Sequence, residues 1–166
     1  MGEPRSPELS RLGQALGRVP SGLYILTVRH DGKATGMLAS WVQQAGFAPP
    51  MVTVAVNADR FVGDWIEQSG RFALNQIATG SKALIRHFGR GFAADAPAFE
   101  GLAPPDEEMA KGGPILEGAM AFLDAEVVGK LSGVDHHVFL ARVVAGGVLH
   151  PEAEPLLHVR HNGFHY

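Results

Sequence analysis

Short segments rich in β-forming residues, each bounded by tight-turn residues, recur along this 166-residue chain and constrain its fold more than any other feature. They do not alternate regularly with helices, so the pattern does not predict a parallel sheet. About seven such segments are predicted strands, at 22–30, 33–44, 51–57, 71–77, 119–130, 136–149 and 156–161. Strands at this density favour a closed antiparallel barrel decorated by short helices.

Turn residues support the first strand pairs. Asp31-Gly32 lies between two β-rich segments and predicts a hairpin. The Pro49-Pro50 corner opens a strand in which Val52, Val54 and Val56 share one face, which we expect to be buried.

Apolar residues at helical spacing predict short helices at 7–17, 61–69 and 81–89. Ser6 is expected to cap the first helix, and Trp65 in the second is interpreted as a core residue. Periodicity disappears from 92 to 117, where Gly and Pro are frequent. A connection of this length is usually a lid, a partner contact or a mobile segment.

The length fits one domain, predicted over 1–166 with a helical N-terminal extension at about 1–17 and a long loop at about 92–117. The chain has no cysteine, which excludes thiol catalysis, iron–sulfur clusters and disulfide scaffolds. Its net charge of −3 argues against a duplex-DNA binder that depends on bulk positive charge.

One uncharged stretch, 34–58, has the length of a membrane-spanning helix. Gln43, Gln44 and the Pro49-Pro50 pair interrupt it, and its flanks alternate with a period of two residues, so it is interpreted as two buried strands. The N-terminal residues lack the apolar core of a secretory signal. We therefore expect a soluble, cytoplasmic protein without a membrane partner.

No phosphate-binding loop, nucleophile elbow or dinucleotide fingerprint is present. Histidines are the remaining candidates for metal or haem binding, chiefly His136-His137 and the C-terminal His158, His161 and His165. Adjacent histidines on a strand face opposite sides and cannot chelate one ion together. A metal- or haem-handling barrel therefore stays a third alternative, and no metal ligands are assigned.

Several motifs occur in a characteristic order along the chain. They are Pro20-Ser21-Gly22, Met37-Leu38-Ala39-Ser40-Trp41, Pro49-Pro50, Ser69-Gly70-Arg71-Phe72-Ala73-Leu74-Asn75, Arg86-His87-Phe88, and Asp135-His136 with Phe139. In this order and spacing the sequence resembles the flavin reductase-like FMN-binding split-barrel family. It is most similar to the variant found as the C-terminal reductase domain of cyanobacterial flavodiiron (diflavin) proteins.

The resemblance implies a mainly β fold, a six-stranded antiparallel Greek-key split barrel, built as a homodimer with flavin near the subunit interface. An isoalloxazine ring needs an apolar slot and nearby main-chain donors. Small residues in 37–41, Ala39 and Ser40, would let the ring lie close to the strand, and Ser40 would offer a hydroxyl. Alternatively, these are small residues in a crowded barrel.

The resemblance places the 5′-phosphate of the flavin at the loop after the third strand and at a later helix start. The matching positions are Asn57, Ala58, Asp59 and Arg60, with Ser81 and Lys82. Many family members have a Ser/Thr-rich string where this chain has Asp59-Arg60. Arg60 is the preferred ligand because a guanidinium binds phosphate in a bidentate manner. Ser81 has the alternative role of a helix cap.

Two further residues are candidates by the same resemblance. The Asn75 amide would approach the flavin, or would instead satisfy the barrel backbone. His136 matches the family's histidine near flavin and nicotinamide, although Val134 replaces the usual preceding glycine. Its alternative role is a partly buried histidine bonded to Asp135 or the main chain.

The function implied is an FMN-binding NAD(P)H:flavin oxidoreductase that uses NADH or NADPH as co-substrate, with FAD as a possible replacement for FMN. Electrons would pass on to oxygen, a monooxygenase component or a diiron protein. The alternative is a non-enzymatic FMN electron-transfer protein of the same fold, in which the 92–117 segment closes the cleft over the flavin.

Overall fold

A computed structural model describes residues 7–103, 106 and 108–164 of the chain. It contains antiparallel strands with short helices between them, in the order that the sequence predicts. The helices are α1 (Pro7–Gly17), α2 (Phe61–Ser69) and α3 (Lys82–Gly89). The strands are β1 (Ser21–Gly22), β2 (Tyr24–His30), β3 (Lys33–Ala39), β4 (Val42–Phe47), β5 (Pro50–Asn57), β6 (Arg71–Gln76), β7 (Ala121–Ser132), β8 (His136–Val148) and β9 (Leu157–His158). The predicted cap Ser6 lies outside the described residues. Within those residues, none of the helices has the length and hydrophobicity of a membrane-spanning segment.

Seven of the described strands form one antiparallel sheet in the order β3-β2-β6-β7-β8-β5-β4, and β1 pairs with β9 in a separate two-stranded sheet. The sheet curls on itself, since β3 contacts β5 although they are not neighbours in this order. Among the described residues its edge strands β3 and β4 are not paired with each other, so the barrel is split and the predicted closed barrel is wrong.

The described sheet has seven strands, whereas the family resemblance implied six. The predicted strand 33–44 is interrupted at Ser40 and Trp41, which divide it into β3 and β4. These two strands lie at opposite edges of the sheet. The break at Ser40 therefore sets the position at which the barrel splits.

The barrel interior is apolar. Val52, Val54 and Val56 on β5 are buried in it, which confirms the predicted shared face. Helix α2 contributes Val62 and Ile66 to the same cluster, and Trp65 packs against it as expected of a core residue. Burying a large aliphatic side chain stabilises the fold by about 1.5–3 kcal/mol. These contacts therefore hold α2 firmly against the strands.

The second half of the 92–117 loop is anchored to the barrel. Residues 112–116 are buried, and Thr27 donates a hydrogen bond from Oγ1 to the carbonyl oxygen of Pro114 at 2.8 Å. The buried carboxylate of Asp124 accepts from the N–H groups of Lys111 and Gly112, each at 2.9 Å. A side chain on Gly112 would collide with the main chain of Phe72. The described part of this half of the loop thus covers the outer side of β2, β6 and β7.

Glu126 on β7 lies between two arginines on the neighbouring strands. It accepts a hydrogen bond from Arg142 at 2.6 Å and forms an ion pair with Arg71. The hydrogen bond from Arg142, together with both positive charges, lowers the pKa of the Glu126 carboxyl below its ordinary value. This cross-strand group is stabilising while Glu126 is ionised.

Candidate functional site

A cleft of about 570 Å³ opens where β3 ends. Its other walls are β5, the first residue of β8, residues 85–89 of α3 and the C-terminal segment around β9. The lining residues are Leu23, Met37, Leu38, Ala39, Ser40, Ala55, Asn57, Arg60, Ile85, Phe88, Gly89, His136, Leu156, Leu157 and His158. The cleft is thus mostly apolar with a few polar groups, which is the usual character of a cofactor site.

The apolar part of the cleft depends on close packing of α3 against β3. A Cβ on Gly36 would lie 2.7 Å from the ring of Phe88, so only glycine lets this ring settle against the strand. Phe88 is buried, and Leu38 packs against the same cluster. This contact turns the second half of α3 toward the cleft.

Ser40 is the polar group at the end of β3. It is 4% exposed, and among the described residues no partner lies within hydrogen-bonding reach of its Oγ. Buried hydroxyls nearly always have a partner, because burying one without a hydrogen bond is costly. The adjacent Ala39 leaves room beside the main chain. This position therefore suits a ligand with an apolar body and a polar edge.

Asn57 and Arg60 place polar groups where β5 leads into α2. Asn57 accepts through Oδ1 from the N–H of Asp59 at 2.9 Å. Arg60 is the N-cap of α2, and its guanidinium lies directly against Gly91, where it occupies the space that a Cβ would need. A cation at the N-terminus of a nine-residue helix favours an anionic ligand.

His136 begins β8 opposite Asn57, its register partner on β5. Its Nδ1 lies 3.1 Å from Oδ1 of Asp135. The His136 contact lowers the pKa of the Asp135 carboxyl. The imidazole also packs on Trp41, with ring centroids 4.7 Å apart, and Arg160 lies 5.2 Å from the centroid of the Trp41 ring.

The structure brings seven of the sequence-predicted site residues to the cleft. They are Met37, Leu38, Ala39, Ser40, Asn57, Arg60 and His136. Trp41 is instead held behind His136, and Ala58 and Asp59 form the turn before α2 without lining the cleft.

Ser81 and Lys82 lie at the start of α3, whereas the α3 residues that line the cleft are Ile85, Phe88 and Gly89. Ser81 occupies the N-cap position of α3, as its alternative role predicts, but its side chain makes no capping hydrogen bond. Neither residue lines the cleft.

Asn75 faces a different part of the molecule. It is fully buried, and its Oδ1 accepts from the N–H of Leu116 at 2.8 Å. Its Nδ2 donates to the carbonyl oxygens of Ile25 at 3.2 Å and Pro114 at 3.3 Å. These contacts correspond to the alternative in which the amide satisfies backbone groups.

None of the described cleft-lining residues belongs to the 92–117 loop. The closed cleft that would distinguish a non-enzymatic carrier is therefore not seen in the described part of the chain. Similarly, no three potential metal ligands converge among the described residues, and His165 lies outside them.

Sequence reasoning missed the C-terminal and helical contributions to the cleft. Phe88 was noticed only as part of a motif, and His158 only as a possible metal ligand. The sequence carries no signal for His158 in the cleft, because alternation in 156–160 would turn the apolar Leu157 and Val159 inward, whereas the structure exposes both.

These features belong to one known class of proteins. The chain is a member of the flavin reductase like domain family, whose profile matches residues 16–165. It is an oxidoreductase domain with a split-barrel fold and a flavin cofactor. The unpartnered hydroxyl of Ser40 in an apolar slot fits that cofactor.

Individual relatives agree with this assignment. The chain is 37% identical to diflavin flavoprotein A 1 of Synechocystis over 158 residues, which is 95% of this chain and 27% of that protein. This chain spans about a quarter of the length of the curated relatives that it matches. The NADH:FAD oxidoreductase of Streptomyces globisporus superposes with a TM-score of 0.81 at 25% identity, covering 96% of this chain and 94% of that one. The styrene monooxygenase flavin reductase of Pseudomonas putida S12 gives 0.72 at 31% identity, covering 88% and 90%.

Proposed function

We propose that this chain is an FMN-binding NAD(P)H:flavin oxidoreductase. The observation that carries the proposal is the orphaned Oγ of Ser40 beside Ala39, in an apolar cleft of a flavin reductase family member. When bound, the flavin accepts a hydride from the reduced nicotinamide and supplies electrons to an acceptor. The proposal is supported by the relative from Streptomyces globisporus, which is named an NADH:FAD oxidoreductase and was also solved with NAD and FAD fragments.

The residues of this chain bind and orient the reactants. The 37–40 strand end offers main-chain groups and the Ser40 hydroxyl to the polar edge of the ring, while Phe88 and Ile85 exclude water from its apolar edge. No side chain has to act as a general acid or base, since positioning and electrostatic support suffice for hydride transfer.

The absorbance spectrum of the purified protein, followed by anaerobic mixing with NADH or NADPH in a stopped-flow instrument, tests the proposal. We expect a flavin spectrum that bleaches with at least one of the two nucleotides. Bound flavin that stays oxidised with both would favour the electron carrier. Protein that neither carries nor binds added FMN would overturn the proposal.

Arg60 is proposed to hold the 5′-phosphate of FMN, because its guanidinium lines the cleft at the start of α2. Arg60→Ala should weaken FMN binding about tenfold or more while changing riboflavin binding little, as expected for a charge-assisted hydrogen bond. Arg90→Ala, which removes a cation outside the cleft, is the matched control. Equal losses for FMN and riboflavin would contradict this role.

His136 is proposed to lie beside the nicotinamide and the flavin. His136→Ala should slow flavin reduction and leave FMN affinity nearly intact, since the ring orients reactants rather than binding the phosphate. His137→Ala, on the opposite face of β8, controls for damage to the strand. An unchanged reduction rate in the His136 variant would refute the assignment.

Onward electron delivery to oxygen or to a protein partner completes the proposal. A relative named as a monooxygenase flavin reductase makes a monooxygenase component one protein partner to test. The resemblance to flavodiiron proteins makes a diiron protein the other. Oxygen consumption by the chain alone, with and without a candidate acceptor, separates the two routes.

We also propose a homodimer, in line with the family resemblance. Exposed apolar side chains on β4 and β7, Phe47, Val128 and Leu131, are candidates for the buried surface. Light scattering should give twice the chain mass of 17.7 kDa, and Leu131→Glu should shift it toward the monomer.

A further inference from the structure

The C-terminal segment forms a fixed wall of the cleft. The N–H of Leu156 donates to the carbonyl oxygen of Ile77 at 3.0 Å, and His158 pairs with Ser21 in the β1–β9 ladder. Further along, the N–H of Arg160 donates to the carbonyl oxygen of Gly17, also at 3.0 Å. Main-chain hydrogen bonds on both sides of His158 therefore fix the direction of its side chain.

The imidazole of His158 is directed into the cleft. Leu157 also borders the cleft but is 67% exposed, and Val159 is 51% exposed, whereas His158 and Arg160 are half-buried. His158 lines the cleft, and among the described residues no hydrogen bond or ion pair engages its ring. Both ring nitrogens are thus available to a ligand.

The charge of the cleft favours anions. Arg60, His136 and His158 are its ionisable lining residues, and none of the described lining residues is Asp or Glu. A cleft lined by one sign of charge attracts ligands of the opposite sign.

The polar groups are divided between two walls. Ser40, Asn57, Arg60 and His136 lie on the β3, β5 and β8 side, where the flavin is proposed to bind. His158 is the polar side chain on the β9 wall. A nicotinamide dinucleotide brings two phosphate groups in addition to that of FMN, and those phosphates need donors of their own.

We infer that His158 is a nucleotide-recognition residue, whose imidazole donates a hydrogen bond to the pyrophosphate of the nicotinamide dinucleotide and not to the flavin. The inference rests on the proposed reductase function. By this inference, the β9 wall distinguishes a full dinucleotide from a substrate that has no phosphate.

The test compares two reductants in anaerobic stopped-flow reduction of the flavin-loaded protein. One is NADH or NADPH, whichever reduces the wild type, and the other is dihydronicotinamide riboside, which has no phosphate. His158→Leu removes the donor at similar volume, and His158→Gln retains a donor. His161→Leu changes an exposed histidine of the same segment and serves as the matched control.

For His158→Leu we expect the Kd of the dinucleotide to rise about tenfold with little change in the limiting rate. The Kd of dihydronicotinamide riboside and the Kd of FMN should stay within about twofold. His158→Gln should recover part of the dinucleotide affinity, and His161→Leu should behave as the wild type. This combination separates recognition of a phosphate from general damage to the wall.

Two results would overturn the role of His158 and leave the proposed reductase function standing. One is an unchanged dinucleotide Kd in His158→Leu, and the other is an equal rise in the Kd of both reductants. A rise in the Kd of FMN would place His158 in the flavin site instead. A wild-type protein whose bound flavin is reduced by neither dinucleotide would overturn the proposed function and the His158 role together. The failures of the two proposals are therefore distinguishable.

Discussion

Replacing Asn75 by alanine should destabilise the protein without weakening flavin binding. The side chain is fully buried on β6, and its Oδ1 is the acceptor for the N–H of Leu116, which is itself 2% exposed. The substitution leaves that N–H buried without its partner. The carbonyl oxygen of Pro114 keeps the hydrogen bond from Thr27 and loses only one of its two donors.

The magnitude follows from these contacts. An unsatisfied buried N–H costs about 1–3 kcal/mol, and the small cavity left by the amide adds about 1 kcal/mol. The free energy of unfolding should therefore fall by about 2–4 kcal/mol. For a chain of this size that corresponds to a decrease in Tm of about 5–15 °C.

Urea unfolding of Asn75→Ala and Thr27→Val, together with FMN titration below the unfolding transition, measures both properties. Thr27→Val is the matched comparison because it removes the other donor to Pro114 and leaves Leu116 paired, so its loss should be about 1 kcal/mol. The reasoning would be refuted by an Asn75→Ala protein of unchanged stability that binds FMN tenfold more weakly. That result would instead indicate that the Asn75 side chain contacts the flavin.

Glu126→Gln should flatten the loss of stability on acidification, since a hydrogen bond from a neighbouring arginine lowers the pKa of this carboxyl in the folded protein. The stabilising contribution of Glu126 is present above the pKa of this carboxyl in the unfolded chain and disappears as the pH falls through the lowered pKa of the folded protein. Midpoints of urea unfolding across the acidic range check this. Parallel curves of midpoint against pH for variant and wild type would contradict it. Asp124→Ala should cost about 2–4 kcal/mol by leaving two loop N–H groups without an acceptor, and urea unfolding should show a smaller loss for Asp124→Asn. Gly17→Ala should cost about 1–3 kcal/mol and raise the dinucleotide Kd, because the new Cβ would lie 2.6 Å from the carbonyl oxygen of Arg160. Gly63→Ala, which meets only an ordinary 3.9 Å contact in α2, is the control and should be neutral or slightly stabilising when both glycine variants are unfolded in urea.

The order and type of the elements could be predicted from sequence because they depend on local patterns. Period-two apolar residues marked β5, helical spacing marked α2 and α3, and Asp31-Gly32 marked the β2–β3 turn. The collinear motifs also identified the family correctly. The closed barrel was not correct, because pairing between sheet edges involves residues far apart in sequence and leaves no local signal.

The site could be predicted only in part, for the same physical reason. Residues 37–40 were found because a contiguous strand end with small side chains is visible in sequence. The sequence left Asn75 open between two roles and indicated His158 only as a possible metal ligand. The surroundings of each residue depend on which distant segment packs against it: residues 114–116 for Asn75 and β1 for His158.

By itself, the sequence determined the succession of strands and helices, the buried faces and the flavin reductase family. The tertiary structure alone decided which polar groups converge: Ser40, Arg60, His136 and His158 in one cleft, with Asn75 and the anchored loop outside it. Hydrophobic periodicity is encoded within a few residues, whereas convergence at a site depends on how the curling of the sheet and the anchoring of the loop bring distant main-chain segments together.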